Sequence, residues 1–174
     1  MRVVELMGAP CSGKSTVAMG LVYMLRQEGY KAELVTEVAK DFYWERILSS
    51  VSQEYITRSQ IAKIKAVASH SGLDFIICDS AVAAGGVYAT KERERKTVCE
   101  MISKFYSKVT TEMFLIDCDL DYTTTGRLQD ETEARLLKEQ LGDAASQYSG
   151  LTRLWGIQPK EAVRLIMNIL QGGL

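Results

Sequence analysis

One stretch near the start of the chain has the residue types and spacing of a phosphate-binding loop. Residues 8–15 match G-x-x-x-x-G-K-[ST] without a gap, after a short apolar run and before a helical pattern. The two glycines permit backbone angles that strain other residues, so loop N–H groups can converge on a phosphate at a helix N-terminus. Lys14 then reaches the β- and γ-oxygens of ATP, and the Ser15 hydroxyl is a ligand for Mg²⁺. The predicted nucleotide-binding residues are Gly8, Ala9, Cys11, Ser12, Gly13, Lys14, Ser15 and Thr16.

An acidic residue at the end of a second apolar run completes a predicted metal site. Asp79 follows the run Phe75–Cys78, which has the composition of a buried strand. In phosphate-loop proteins a carboxylate in this position holds Mg²⁺ directly or through water. The sequence therefore predicts Ser15 and Asp79 as the magnesium residues.

Further charged residues are candidates for catalysis. Glu37 lies at the tip of a predicted strand and Asp41 one helical turn later, where a carboxylate can orient an acceptor hydroxyl and take its proton. Arg127 follows Gly126 in a polar loop, where a closing lid can carry it to the transferring phosphoryl group. The alternatives are an acidic helix start and a surface arginine. With Lys14, these residues make up the predicted catalytic set.

Other polar and aromatic residues have two interpretations each. Gln53 and Gln60 share one helix face, and their amides either read a base or ribose edge or belong to an exposed polar side. Tyr43 and Trp44 either stack on a base or pack in the core. The segment 91–96 alternates in charge, which favours a solvated helix face over a phosphate clamp.

The remaining pattern predicts the elements that position these residues. Strands that are continuous apolar runs alternate with helices, which indicates an α/β fold with a parallel sheet of about five strands covered by helices on both faces. Ligands then bind outside the carboxyl ends of the strands. The segment 37–45 is expected to be a loop or a first helical turn, and residues 1–174 are expected to form one domain. The predicted strands are 3–7, 31–36, 74–79, 113–117 and 151–155, and the predicted helices are 14–28, 52–69, 92–106, 131–141 and 159–170.

Composition bears on several classes of protein. The formal net charge of the 174 residues is −1, which gives no support to a protein bound to duplex DNA through overall charge. No apolar run approaches the roughly 20 residues that span a membrane. The four cysteines form no C-x-x-C pair, and Cys78 and Cys118 are expected in the core, so a reducing cytoplasm is the expected compartment. The sequence does not indicate the oligomeric state.

Motifs also narrow the class of nucleotide-binding protein. An N-K-x-D guanine motif is absent, which disfavours a GTPase, and a full AAA+ motor would need a longer chain. Three interpretations remain: a small-molecule kinase, a kinase that modifies DNA, and an ATP-driven switch without a small-molecule acceptor.

Three segments together resemble a known family. GAPCSGKST, VTEVAKDFYWE and GRLQDETEA are similar to the small P-loop ATPase/kinase proteins common in bacteriophages, including ribosylnicotinamide kinase domains and phage nucleotide kinases. The resemblance implies a P-loop NTPase fold, ATP with Mg²⁺, and a nucleoside- or nucleotide-like acceptor near Glu37, Lys40, the Gln53/Gln60 helix and Arg127. A branch resembling polynucleotide kinases implies a DNA end or a hydroxymethylated pyrimidine as acceptor. Either branch implies the host cytoplasm if the protein is viral.

Overall fold

The computed structural model describes residues 1–70, 72–123, 130–147 and 151–172. Strands and helices alternate along the chain. The strands are β1 (Arg2–Met7), β2 (Ala32–Val35), β3 (Phe75–Cys78), β4 (Thr111–Cys118) and β5 (Leu151–Ile157). The helices are α1 (Lys14–Gln27), α2 (Val38–Trp44), α3 (Gln53–Ala68), α4 (Gly85–Tyr88), α5 (Glu92–Tyr106), α6 (Glu131–Ala145) and α7 (Pro159–Leu170), with short 3₁₀ helices at Leu48–Ser50 and Val82–Ala84.

All five strands are parallel and lie in the order β2-β3-β1-β4-β5. This arrangement confirms the predicted α/β P-loop NTPase fold. β1 is the central strand, so the loop that follows it emerges between the ends of β3 and β4. The carboxyl ends of β1, β2 and β3 therefore bring the phosphate loop, Glu37 and Asp79 to one edge of the sheet.

Helices pack on both faces of the sheet, as predicted. On one face α1 and α7 bury residues such as Leu21 and Ile166 against β1, β3 and β4. On the other face α3, α5 and α6 bury residues such as Ile64, Ile102 and Leu141. Cys78 and Cys118 are buried, which confirms their assignment to the core.

The structure differs from the sequence-based elements after β2 and after β3. Residues 38–44 form helix α2 rather than a loop or single turn, and it is stabilised by tertiary contacts: Val38 is buried, and the Phe42 ring stacks on Tyr55 at 5.8 Å. The 3₁₀ helix Val82–Ala84 and α4 were not predicted. These residues are mostly small or apolar and have no helical period of their own, so their conformation depends on tertiary contacts that the sequence pattern does not show.

Several elements also extend beyond the predicted boundaries, among them β5, which continues to Ile157. Helix α6 continues to Ala145 because Leu141 and Ala145 are both fully buried. Strand β4 begins at Thr111 because that residue already pairs with Val3 of β1. In the described part of the chain, no helix has the length and apolar character needed to cross a membrane.

Candidate nucleotide and acceptor site

The phosphate loop is held in a tight conformation against β4. Gly13 has φ +86° and Cys11 has φ +65°, both in the left-handed region. A Cβ atom added to Gly8 would lie 2.3 Å from the Ile116 carbonyl oxygen, so no side chain fits there. The Cys118 N–H donates to the Ser12 carbonyl oxygen at 3.0 Å and ties the loop to the neighbouring strand. These contacts explain why glycine occupies both signature positions.

Groups around the start of α1 fit a bound phosphate. Gly13 occupies the N-cap and offers no side-chain acceptor to the first N–H groups of the helix. The Ser12 hydroxyl is buried and has no hydrogen-bond partner within the described residues. The Lys14 ammonium donates to the Ala9 carbonyl oxygen at 2.9 Å, which places the positive charge at the loop. An uncapped helix N-terminus, an unsatisfied hydroxyl and a cation together favour an anion.

The predicted magnesium residues lie at the same edge of the sheet. Ser15 is in the first turn of α1, and Asp79 directly follows β3, which is paired with β1. Asp79 is only 5% exposed, and its N–H donates to the Val35 carbonyl oxygen at 3.0 Å. No group of three or more His, Cys, Asp or Glu side chains suited to a metal occurs among the described residues. A Mg²⁺ ion here would therefore draw its other ligands from phosphate oxygens and water, as this ion commonly does.

A cavity of about 410 Å³ opens from the phosphate loop. Lys14 lines it, together with residues of α2 and α3 and most of residues 80–85. Glu37 and Lys40, on the segment that follows β2, both line this cavity, as does Gln53 of α3. The structure thus brings Glu37, Lys40 and Gln53, which belong to the expected acceptor side, into one space beside the phosphate loop.

Gln60 has a structural contact that the sequence did not reveal. Its side-chain oxygen accepts a hydrogen bond from the Val38 N–H at 2.9 Å, and its amide nitrogen donates to the Thr36 carbonyl oxygen at 3.5 Å. Gln60 is 5% exposed, so the expectation of an exposed polar side is wrong for this residue. Because Thr36 and Val38 flank Glu37, the Gln60 amide fixes the segment that carries Glu37.

Asp41 is placed differently from Glu37. Its carboxylate forms an ion pair with Lys63 at 2.7 Å, and the same ammonium donates to the Thr36 hydroxyl at 2.6 Å. Among the described residues that line the cavity, Glu37 appears and Asp41 does not. Of the two predicted bases, Glu37 is therefore the one that lines the same cavity as Lys14, and the catalytic roles of both stay predictions.

Arg127 lies outside the described residues. The chain is described up to Thr123, whose N–H donates to the Cys11 sulfur at 3.3 Å, while the Cys11 thiol contacts the Thr123 carbonyl oxygen at the same distance. The phosphate loop thus touches the residue that leads into the segment carrying Arg127.

Sequence reasoning missed Glu5, a carboxyl group at the centre of the sheet. Glu5 is fully buried, and desolvation raises its pKa to about 7, although hydrogen bonds from Val82, Tyr106 and Thr111 partly oppose the shift. One signal was present in the sequence: Glu5 is the single acidic residue in the otherwise apolar run Val3–Met7.

Solved structures with the same fold include three kinases. Deoxyadenosine kinase from M. mycoides with bound dCTP has a TM-score of 0.64 and 16% identity, covering 99% of this chain and 100% of that chain. Shikimate kinase from Aquifex aeolicus vf5 has a TM-score of 0.55 and 18% identity, covering 99% and 97%. APS kinase CysC from Mycobacterium tuberculosis, as a Cys556Ala mutant, has a TM-score of 0.52 and 14% identity, covering 98% and 96%.

Sequence comparison identifies the family to which the chain belongs. No curated protein matches the chain significantly. A family model does match, over residues 3–152, and this span contains the phosphate loop, Asp79 and the cavity walls. The chain therefore belongs to the family described as AAA domain (AAA_28).

Proposed function

We propose that this protein is a kinase that uses ATP and Mg²⁺ to phosphorylate a hydroxyl or phosphate of a nucleoside- or nucleotide-like acceptor. The observation that carries this proposal is the cavity of about 410 Å³ that joins the phosphate loop at Lys14 and is lined by Glu37. Its volume falls in the range of about 300–1,000 Å³ that is usual for small-molecule sites. A protein that only binds or hydrolyses ATP needs no second space of this kind beside the γ-phosphate.

The proposal gives each predicted residue one role. The loop N–H groups and Lys14 hold the β- and γ-phosphates, and Ser15 and Asp79 are the residues that would hold Mg²⁺. When bound, the ion neutralises charge on the phosphate oxygens. Glu37 faces the acceptor and takes the proton of its hydroxyl. Arg127, carried by the segment after Thr123, supplies positive charge to the phosphoryl group in transit.

The proposed phosphoryl transfer needs no reactants other than ATP, the acceptor and these groups. The acceptor oxygen forms a bond to the γ-phosphorus while the bond from that phosphorus to the bridging oxygen breaks. ADP departs with the bridging oxygen, and the acceptor proton passes to Glu37. An acceptor whose nucleophile is already an ionised phosphate oxygen needs no base, so its transfer is less dependent on Glu37.

The three solved kinases support the proposal at the level of the fold. They are named for different acceptors, so they do not select one for this chain. A screen with labelled ATP against nucleosides, nucleotides and small hydroxy acids tests the proposal, with Lys14→Ala as the matched inactive variant. Transfer by the wild type alone supports it. Hydrolysis of ATP at the same rate with and without every acceptor contradicts it, and favours the ATP-driven switch.

A second candidate is a phage-type kinase that phosphorylates a hydroxymethylated pyrimidine or a DNA end. The observation that favours it is an aromatic pair beside the cavity: Tyr43 lines it, and the neighbouring Trp44 is 59% exposed with its ring 5.2 Å from that of Tyr43. Exposed aromatic rings stack on unpaired bases and contribute about 1–3 kcal/mol each. Oligonucleotides carrying a hydroxymethylated pyrimidine or a 5′-hydroxyl end belong in the same screen. Selective loss of oligonucleotide transfer in Trp44→Ala would favour DNA over a free nucleotide.

A further inference from the structure

The wall of the cavity after β3 begins with a helical turn that has no cap of its own. Residues 80–85 include the 3₁₀ helix Val82–Ala84 and line the cavity at five positions. Ala81 occupies the N-cap position and has no side-chain acceptor. The N–H groups at the start of a helix need acceptors from elsewhere when they are buried.

Two residues far away in sequence supply those acceptors. The Val82 N–H donates to Oε1 of Glu5 at 3.0 Å, and the Ala83 N–H donates to the phenolic oxygen of Tyr106 at 3.1 Å. The Tyr106 hydroxyl in turn donates to Oε2 of Glu5 at 2.7 Å. Glu5 on β1 and Tyr106 on α5 thus form one hydrogen-bonded unit, here called the Glu5–Tyr106 clamp, which holds consecutive backbone groups of the wall.

An acidic side chain is costly at this position of β1. Val3 and Met7 point to the same side of the strand, because side chains alternate, and both are buried apolar residues. A carboxylate buried among them pays a desolvation penalty that an apolar side chain would avoid. Neither Glu5 nor Tyr106 is among the described residues that line the cavity. Their effect on a bound acceptor must therefore pass through the backbone of the wall.

We propose that Glu5 and Tyr106 are positioning residues for the acceptor. By holding the N–H groups of Val82 and Ala83, the clamp fixes residues 80–85 and so sets the distance between the acceptor and the phosphate loop. This inference rests on the proposed kinase function. It assigns the clamp to acceptor binding and not to ATP binding, because the loop itself is held by β4 through Cys118 and Ser12.

Tyr106→Phe is the sharpest test, because it keeps the ring that packs at 5.1 Å from Phe105 and removes only the hydroxyl. We expect hydrogen exchange of the Ala83 amide to become about tenfold faster, within the range of a lost buried hydrogen bond. With the acceptor identified by the screen, its KM should rise about tenfold while the Kd of MgATP stays within about twofold. Ile166→Val is the matched control, since it weakens the core on the opposite face of the sheet and leaves the wall intact.

A second pair of variants tests Glu5, the other residue of the clamp. Glu5→Gln retains an acceptor for the Val82 N–H and should raise the acceptor KM less than Glu5→Leu, which retains none. Three results would overturn the proposal: unchanged Ala83 exchange in Tyr106→Phe, an unchanged acceptor KM, or an equal increase in the Kd of MgATP. Failure of the proposed function looks different, because the wild-type protein would then transfer phosphate to no acceptor. That result would also remove the acceptor role of the clamp.

Discussion

Glu5 makes the stability of this protein depend on pH in a direction that can be calculated. Its carboxyl group is fully buried, and desolvation is the largest cause that raises its pKa from 4.5 to about 7. The folded protein therefore holds the Glu5 proton over a pH range in which the unfolded chain releases it. The stability linked to this proton is complete below pH 4.5 and is lost as the pH rises through about 7.

The magnitude follows from the two pKa values. Linkage of one proton with these values predicts that unfolding free energy falls by about 2.5 kcal/mol between pH 5 and pH 8, on a scale of about 1.4 kcal/mol per pKa unit. Glu5→Gln removes this titration and nearly preserves the volume of the side chain. We therefore expect the stability of the wild type relative to the variant to decline by that amount across the range.

Urea unfolding at half-unit steps from pH 5 to pH 8 measures this difference. Met113→Leu is the matched control, because Met113 pairs with Glu5 across β1 and β4 and its replacement conserves volume without removing an ionisable group. This control should keep the slope of the wild type. Parallel curves for the wild type and Glu5→Gln would refute the reasoning, since they would mean that folding does not shift the pKa of Glu5.

The other predictions concern the phosphate loop and the catalytic groups. Lys14→Ala should abolish phosphoryl transfer in a folded protein; circular dichroism and a labelled-ATP assay check this, and normal turnover would remove the kinase proposal. Asp79→Asn should shift the Mg²⁺ dependence of turnover to higher concentration, and an unchanged magnesium titration would exclude Asp79 from the metal site. Glu37→Gln and Arg127→Ala should each lower kcat about a hundredfold with nearly unchanged ATP affinity. Calorimetry with a non-hydrolysable ATP analogue separates the two effects, and a parallel loss of affinity would place these residues in the nucleotide site instead.

The phosphate loop and the parallel sheet were predictable because their signals are local. Residues 8–15 are contiguous, so the motif is recognisable without its tertiary contacts, although the structure shows that Gly8 is required by the nearby Ile116 carbonyl oxygen and Gly13 by its positive φ. The strands are buried on both faces, so β3 appears in the sequence as a continuous apolar run ending at Asp79. Helix α2 was not predictable in the same way, because the contacts of Val38 with Gln60 and of Phe42 with Tyr55 join different elements.

The sequence by itself predicted a phosphate-binding loop near the start of an α/β fold, and the structure confirms that fold. The sequence also identified the charged residues that follow the strands. Only the tertiary structure decided which of them share a cavity: Glu37 lines it, whereas Asp41 is paired with Lys63. It also revealed the Glu5–Tyr106 clamp. In the chain, Glu5 is 77 residues from Val82, from whose N–H it accepts a hydrogen bond, and 101 residues from Tyr106. Periodicity reports how a residue relates to its neighbours in sequence. The partner of a buried polar group is chosen by the packing of distant elements, because burial leaves such a group only the acceptors and donors that the fold brings within reach.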